Sequence, residues 1–194
     1  MANLIYIANT SLDGYTEDKD GKFDWTAPSD EYFKFITNLV RATHTHLYGR
    51  RMYESMQVWE TDPQLAAQSP LRRDFAEIWQ AAHKIVYSTT LKTVPTRQTR
   101  LEKTFDPNAI RQMKATSEHD LLIGGPELAA HALRAGLIDE IHLFILPIIV
   151  GGGKSAVPDD VRIALALLEE RRFDHGVVYL RYRIKPGSAP EHSL

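Results

Sequence analysis

Two short stretches carry residue types suited to holding a phosphorylated ligand: Gly49-Arg50-Arg51 and Gly124-Gly125. In the first, the strand-like run from Thr45 to Tyr48 stops at a glycine and a helical pattern follows. In the second, Leu121 to Ile123 stops at paired glycines and Pro126 opens a helix. Glycine lets a ligand approach the backbone closely, and the first turn of a helix leaves N–H groups unpaired at the positive end of its dipole. Arg50 and Arg51 add charge and forked donors for a further phosphate group. Taken alone, each glycine reads equally well as a tight strand-to-helix turn. Two such junctions in one chain, one of them with paired arginines, favour nucleotide binding. Neither has the G-x-G-x-x-G spacing of an ordinary Rossmann domain.

Other motifs exclude more than they admit. Gly151-Gly152-Gly153-Lys154-Ser155 looks like the end of a P-loop, but Ile148 stands where that motif needs its first glycine. Ala156-Val157-Pro158 then make a poor helix start. The run reads instead as a glycine loop bordering an active site, or as a plain surface turn. His44 and His46 would share one side of a strand, yet no third ligand has suitable spacing, and no metal site is expected. The absence of cysteine excludes disulfides, thiolate metal sites and cysteine nucleophiles. There is no G-x-S-x-G elbow for a serine hydrolase.

These residues need elements to position them. The 194-residue chain is 43% hydrophobic and 25% charged, which suits one folded core rather than a disordered segment. Its formal net charge of -2 provides no broad basic field for nucleic acid or an anionic membrane. No apolar run reads as a signal peptide or membrane span, so a cytoplasmic location is expected. Apolar runs predict strands over Leu4 to Ala8, Thr45 to Tyr48, Lys84 to Tyr87, Arg100 to Phe105, Asp120 to Ile123 and Ile138 to Val150, the last interrupted near Pro147. Helical spacing predicts helices over Asp30 to Val40, starting after Pro28-Ser29, and over Arg50 to Val58, Pro70 to Ala82, Pro107 to Ala115, Pro126 to Ala135 and Asp159 to Leu167. Leu168 to Phe173 and Val177 to Ile184 read as an antiparallel hairpin, with Val178, Leu180, Tyr182 and Ile184 on one face. The expected fold is α/β, a largely parallel central sheet with helices on both faces, closed by the C-terminal antiparallel hairpin. A single domain over 1–185 is followed by a polar tail over 186–194.

The ordered motifs resemble the dihydrofolate reductases and, more closely, the related reductase domain of riboflavin biosynthesis. IANTSLDGY (Ile7 to Tyr15) and DEIHLFILPIIVGGG (Asp139 to Gly153) are similar to the riboflavin-type branch. LYGRRMYES (Leu47 to Ser55) and LLIGGPEL (Leu121 to Leu128) resemble the G-R-x-T and I-G-G-G stretches of dihydrofolate reductases, and VYSTTL (Val86 to Leu91) fits the same order. The resemblance implies a dihydrofolate-reductase-like fold, NADPH as cofactor and hydride transfer to a C=N or C=O bond of a small heterocyclic, pteridine- or pyrimidine-like substrate. It places Ala8 near the nicotinamide, Gly49, Arg50 and Arg51 near the phosphates of the adenosine half, Ser88 and Thr89 at a 2′-phosphate, and Gly124 and Gly125 at the pyrophosphate. Ser11, Asp13 and Gly152 would face the substrate. Asp30, in WTAPSDEYF (Trp25 to Phe33), matches the acidic residue of dihydrofolate reductases and is the candidate catalytic carboxyl. Ser29-Asp30-Glu31 is equally what an exposed helix start prefers. Met52 replaces a phosphate-binding threonine and Pro126 a third glycine. A homodimer is implied by analogy. The alternative from another class is a non-catalytic nucleotide- or ligand-binding protein that keeps the fold.

Overall fold

In the computed structural model, which describes residues 1–26 and 29–186, strands and helices alternate along most of the chain. The first strand, β1 (Leu4–Thr10), is followed by a short β2 (Tyr15–Glu17), helix α1 (Asp30–Arg41) and β3 (Thr43–Gly49). Four helices come next: α2 (Arg50–Met56), α3 (Val58–Thr61), α4 (Pro63–Ala67) and α5 (Pro70–Ala81). Then follow β4 (His83–Tyr87), β5 (Thr99–Glu102), α6 (Pro107–Thr116), β6 (Asp120–Gly124), α7 (Pro126–Arg134) and β7 (Glu140–Ile145). The chain closes with β8 (Lys154–Ser155), β9 (Leu165–Arg172) and β10 (Val178–Ile184). All but one residue of the tail predicted over 186–194 lie outside the described residues, as does Pro28 of the predicted helix start.

Eight strands form one sheet in the order β5-β4-β3-β6-β1-β7-β10-β9. The first six run parallel, and β10 and β9 are antiparallel. The predicted fold class is therefore found. Pleat alternation divides the core between two faces. Leu4, Tyr6, Leu47, Ile85, Leu121 and Ile123 point to α6 and α7, which contribute Ile110, Leu128, Ala129 and Leu133. Tyr48, Val86 and Leu122 point the other way, against Val40 of α1, Tyr53 of α2, and Phe75 and Trp79 of α5. A second cluster on that face joins Tyr32 to Phe144, Phe173 and Tyr179.

Local chemistry sets the helix starts. The Ser29 hydroxyl accepts from the Tyr32 amide, Ser69 from Arg72, and Asp106 from Asn108, each satisfying an N–H that the first turn leaves open. The C-terminal end of α5 is finished by a lysine from the next strand. Lys84 is 1% exposed, and its ammonium donates to the carbonyls of Trp79 and Ala82 at 3.0 and 2.9 Å. Burial lowers its pKa to about 8.

Several predicted boundaries are corrected. The helix expected over Asp159 to Leu167 does not form: Leu165 and Leu167 belong to β9, pairing with Ile184 and Tyr182 of β10. Long-range pairing overrides local helical preference there. The strand expected from Ile138 to Val150 ends at Ile145, just before Pro147, which has no N–H for a ladder. The helix from Arg50 breaks at Gln57 into α2 and α3. On β10 the alternation is present, but the fully buried residue is Tyr179, opposite the Val178 face, and Val178 is exposed.

Candidate functional site

The parallel strands β3, β6 and β1 end on the same side of the sheet, and a cleft of about 1130 Å³ opens there. This is the side on which open α/β sheets bind ligands, outside the carboxyl ends of their strands. The strand order provides the opening: the chain passes from β1 to β3 across the position that β6 later fills, so neighbouring loops diverge.

The two glycine junctions meet in this cleft. Tyr48 of β3 pairs with Gly124 of β6, so Gly49 and Gly125 stand side by side, each as the N-cap of a helix, α2 and α7 respectively. Met52 joins them. A Cβ on Gly124 would lie 2.9 Å from the Tyr48 ring and 3.3 Å from the Met52 methyl, and one on Gly125 would lie 3.2 Å from the Met52 Cβ. Gly125 has φ +90°, a conformation L side chains rarely adopt. Gly49 has φ -75°, and a Cβ there would touch only Leu128, at 3.9 Å, so neither backbone nor packing demands a glycine. Space kept open beside a helix N-terminus fits a ligand that approaches the backbone. Pro126 occupies the first helical position of α7, where its missing N–H costs nothing.

Cations gather at the same junctions. Arg50 lies 3.9 Å from Glu54, Arg51 lies 3.7 Å from Glu17, and Lys154 lies 2.7 Å from Glu127 and 3.4 Å from Glu17. The Lys154 hydrogen bond, with Arg51 and Arg50 nearby, holds the Glu127 carboxyl below its ordinary pKa. Lys154 was not foreseen as a site residue. It belongs to the rejected P-loop run, and its lysine beside three glycines was the one available signal. β8 brings it in by pairing with β2.

The opposite wall is apolar. Tyr32, Phe33 and Ile36 of α1, Met56 of α2, Trp59 of α3 and Phe75 of α5 line it. Phe33 and Trp59 stack with centroids 5.9 Å apart and planes inclined by 25°, and Trp59 meets Phe75 at 4.7 Å. At the floor, beside Ala8, the Tyr32 hydroxyl donates to Asn9 Oδ1. Burial raises the Tyr32 pKa, so the phenol stays protonated.

Of the residues singled out from the sequence, Ala8, Gly49, Arg50, Arg51, Gly124 and Gly125 line the cleft. Ser88 lies at the C-terminal end of β4, beside β3, where its hydroxyl accepts from the Thr90 and Leu91 amides. Thr89 next to it is exposed. Neither lines the cleft. Asp30 is the exposed first residue of α1 and is not part of the lining either; its carboxylate suits the positive end of the helix dipole. Ser11, Asp13 and Gly152 lie outside the lining as well and serve the rim. The Asp13 carboxylate accepts from the amides of Val150 and Gly151 at 3.1 and 2.8 Å, and the Ser11 hydroxyl accepts from the Tyr15 amide. The Ser11 hydroxyl and these amides hold the Asp13 pKa below its usual value. His46 is a core residue between Thr43 and Tyr48, and burial lowers its pKa to about 3. Among the described residues no group of three His, Asp or Glu is arranged to hold a metal ion, and no helix is long and apolar enough to cross a membrane.

Sheet order, cleft and flanking helices together define a dihydrofolate-reductase-like fold of the riboflavin-biosynthesis reductase type. The chain belongs to the RibD C-terminal domain family, whose sequence profile matches residues 2–179. It is 27% identical to the uncharacterized protein YyaP of Bacillus subtilis (strain 168) over 183 residues, covering 92% of this chain and 93% of that one. A Shewanella sp. PV-4 protein linked by name to riboflavin biosynthesis superposes with a TM-score of 0.73 at 24% identity, over 95% of this chain and 99% of that one. The Thermotoga maritima diaminohydroxyphosphoribosylaminopyrimidine deaminase/5-amino-6-(5-phosphoribosylamino)uracil reductase gives 0.65 at 16% identity, over 95% of this chain and 57% of that one. Membership of this family supports a reductase-like function.

Proposed function

We propose that this chain is an NADPH-dependent reductase acting on a C=N or C=O bond of a small heterocyclic molecule. The observation that carries the reading is the meeting of two glycine-capped helix N-termini, at Gly49 and Gly125, under three cations. That arrangement suits a dinucleotide bearing several phosphates. A cleft of about 1130 Å³ also exceeds the roughly 300–1000 Å³ usual for a single small ligand, leaving room for a second molecule.

Gly49, Arg50, Arg51, Gly124 and Gly125 would hold the phosphates, Ser88 and Thr89 would serve the adenosine end, and Ala8 would leave room for the nicotinamide. When bound, NADPH supplies a hydride, two electrons and one proton, to the acceptor carbon, while the heteroatom takes a second proton from a donor in the site or from water. Ala8 adds no bulk at the floor, and Tyr32 fixes the Asn9 amide beside it. The aromatic wall limits water on one side of the reacting bond. Asp30 is the carboxyl group proposed from the resemblance. Its exposed place predicts that Asp30→Asn changes turnover less than twofold, and a loss of about a hundredfold, the size expected of a general acid, would restore it to the mechanism.

The deciding measurement is a fluorescence titration with NADPH and NADH. Saturation by NADPH below millimolar concentration is expected, and no binding at that level would end this reading. The molecule is proposed to act in the cytoplasm as a homodimer. Leu165, Leu167 and Val178 lie exposed on the face of β9 and β10 opposite Tyr179 and give a second copy an apolar surface to cover. Light scattering in solution reads the dimer directly.

A further inference from the structure

The positive charge of the cleft lies on one side only. Its three lining cations all belong to the junction half: Arg50 and Arg51 start α2, and Lys154 is bound to Glu127 in the first turn of α7. Each is already tied to a carboxylate within that half. The facing half presents Phe33, Ile36, Met56, Val58, Trp59 and Phe75, and none of the lining residues of α1, α3 or α5 carries a positive charge. A phosphate set against these rings would lose its hydration without a cationic partner from α1, α3 or α5, which disfavours it there. A flat ring, by contrast, can join the stack that Phe33 and Trp59 already form.

One polar group at the floor narrows the choice. Asn9 lies on the pleat face of β1 that carries Ile7, toward α1, and its Oδ1 is engaged by the Tyr32 hydroxyl. That bond turns the amide so that its N–H₂ group, which donates to no described residue, is the donor left for a ligand. An amide N–H₂ beside an aromatic wall matches a carbonyl oxygen on a planar ring.

Building on the assignment of the junction half to the cofactor, we infer that the second half of the cleft accepts an uncharged, planar, carbonyl-bearing ring and excludes a phosphorylated sugar. The substrate class is thereby set by α1, α3 and α5, and the phosphate-binding residues serve the cofactor alone.

The test uses two probes that differ by one charge: 1,4-naphthoquinone and 1,4-naphthoquinone-2-sulfonate. Both are titrated calorimetrically into the full chain with saturating NADP⁺, which permits binding without turnover. The absence of cysteine removes thiol addition as a complication. The neutral quinone is expected to bind at least about tenfold more tightly than the sulfonate. Trp59→Ala is expected to weaken the quinone by about tenfold and to leave NADP⁺ affinity within about twofold. Equal or tighter binding of the sulfonate overturns the inference, as does a Trp59→Ala protein that folds and binds the quinone normally. If that variant does not fold, Trp59→Phe should retain the quinone and the wild-type probe pair still decides. A flat NADP⁺ titration with the quinone preference intact would sink the cofactor reading instead, so the two failures are separable.

Discussion

The two halves of the cleft are built from different materials. The junction half is made mostly of backbone: two strand ends, two helix N-termini, and glycines, of which Gly49 leaves space open while Gly124 and Gly125 let Tyr48 and Met52 pack close. Its arginines are exposed, Lys154 is half-buried, and all three are held by ion pairs of 2.7–3.9 Å. The aromatic half is made of side chains from helices that the chain brings together across long intervals, with Phe33 stacked on Trp59 and Phe75 tilted against both. Backbone sites tolerate most changes of neighbouring side chains but not a change at the glycines themselves. Side-chain sites adapt residue by residue. One fold can therefore keep a cofactor while exchanging substrates.

Substitutions that separate the halves test this contrast. The largest effect is expected from Gly125→Val. A branched side chain at φ +90° and 3.2 Å from Met52 must displace the start of α7, and NADPH affinity should fall by about a hundredfold, or ~2.7 kcal/mol. Quinone binding in the aromatic half should be almost unchanged; if both fall together in a folded variant, the halves are not independent. A smaller change is expected for Arg50→Ala combined with Arg51→Ala. Because both side chains are exposed and screened, NADPH affinity should drop about tenfold at low salt and much less at high salt. A loss that does not depend on salt would show that the arginines act through packing.

The smallest effect on either ligand, and a measurable one on the scaffold beneath both, concerns His46. Its folded pKa of about 3 lies far below the ordinary value near 6.5, because burial penalises the imidazolium. Between those values the unfolded chain binds a proton that the folded chain refuses, so stability is intact above pH 6.5 and declines as pH falls. Once well below 6.5 the slope approaches about 1.4 kcal/mol per pH unit for this group, and His142, also lowered by burial, adds to it. Urea midpoints at pH 7 and pH 5 measure the decline. His46→Gln should flatten it, and an unaltered slope would assign acid sensitivity to other groups.

The legible parts of the molecule were the local ones. Glycine after an apolar run, arginines after glycine, and a proline opening a helix are adjacent in sequence, so Gly49, Arg50 and Gly125 could be read before any fold was known. The parallel sheet followed from alternating strands and helices. The aromatic wall was illegible because Phe33, Trp59 and Phe75 sit on separate helices with helical spacing that also describes an ordinary core. Lys154 was missed for a related reason: β8 is two residues long, and only its pairing with β2 carries the lysine to the cleft. The helix predicted over Asp159 to Leu167 failed because β10 supplies hydrogen bonds that local propensity cannot anticipate. Asp30 marks the ambiguity of an acidic residue at a helix start, where capping and catalysis use the same side chain.

Asp13 ties the glycine loop to the turn after β1, and Gly153 packs so closely on β2 that a Cβ would fall 2.0 Å from the Glu17 carbonyl oxygen. Tyr6 adds a buried hydrogen bond to the Ala156 carbonyl. With its pKa held low, Asp13 stays ionised at any physiological pH, so this fastening does not switch. The edge of the cleft that carries Lys154 is thus fastened by the fold itself. Removing the carboxylate in Asp13→Ala should therefore loosen that edge, read as faster hydrogen exchange at the Val150 and Gly151 amides, while an unchanged exchange rate would show that Gly153 and Tyr6 hold it without Asp13.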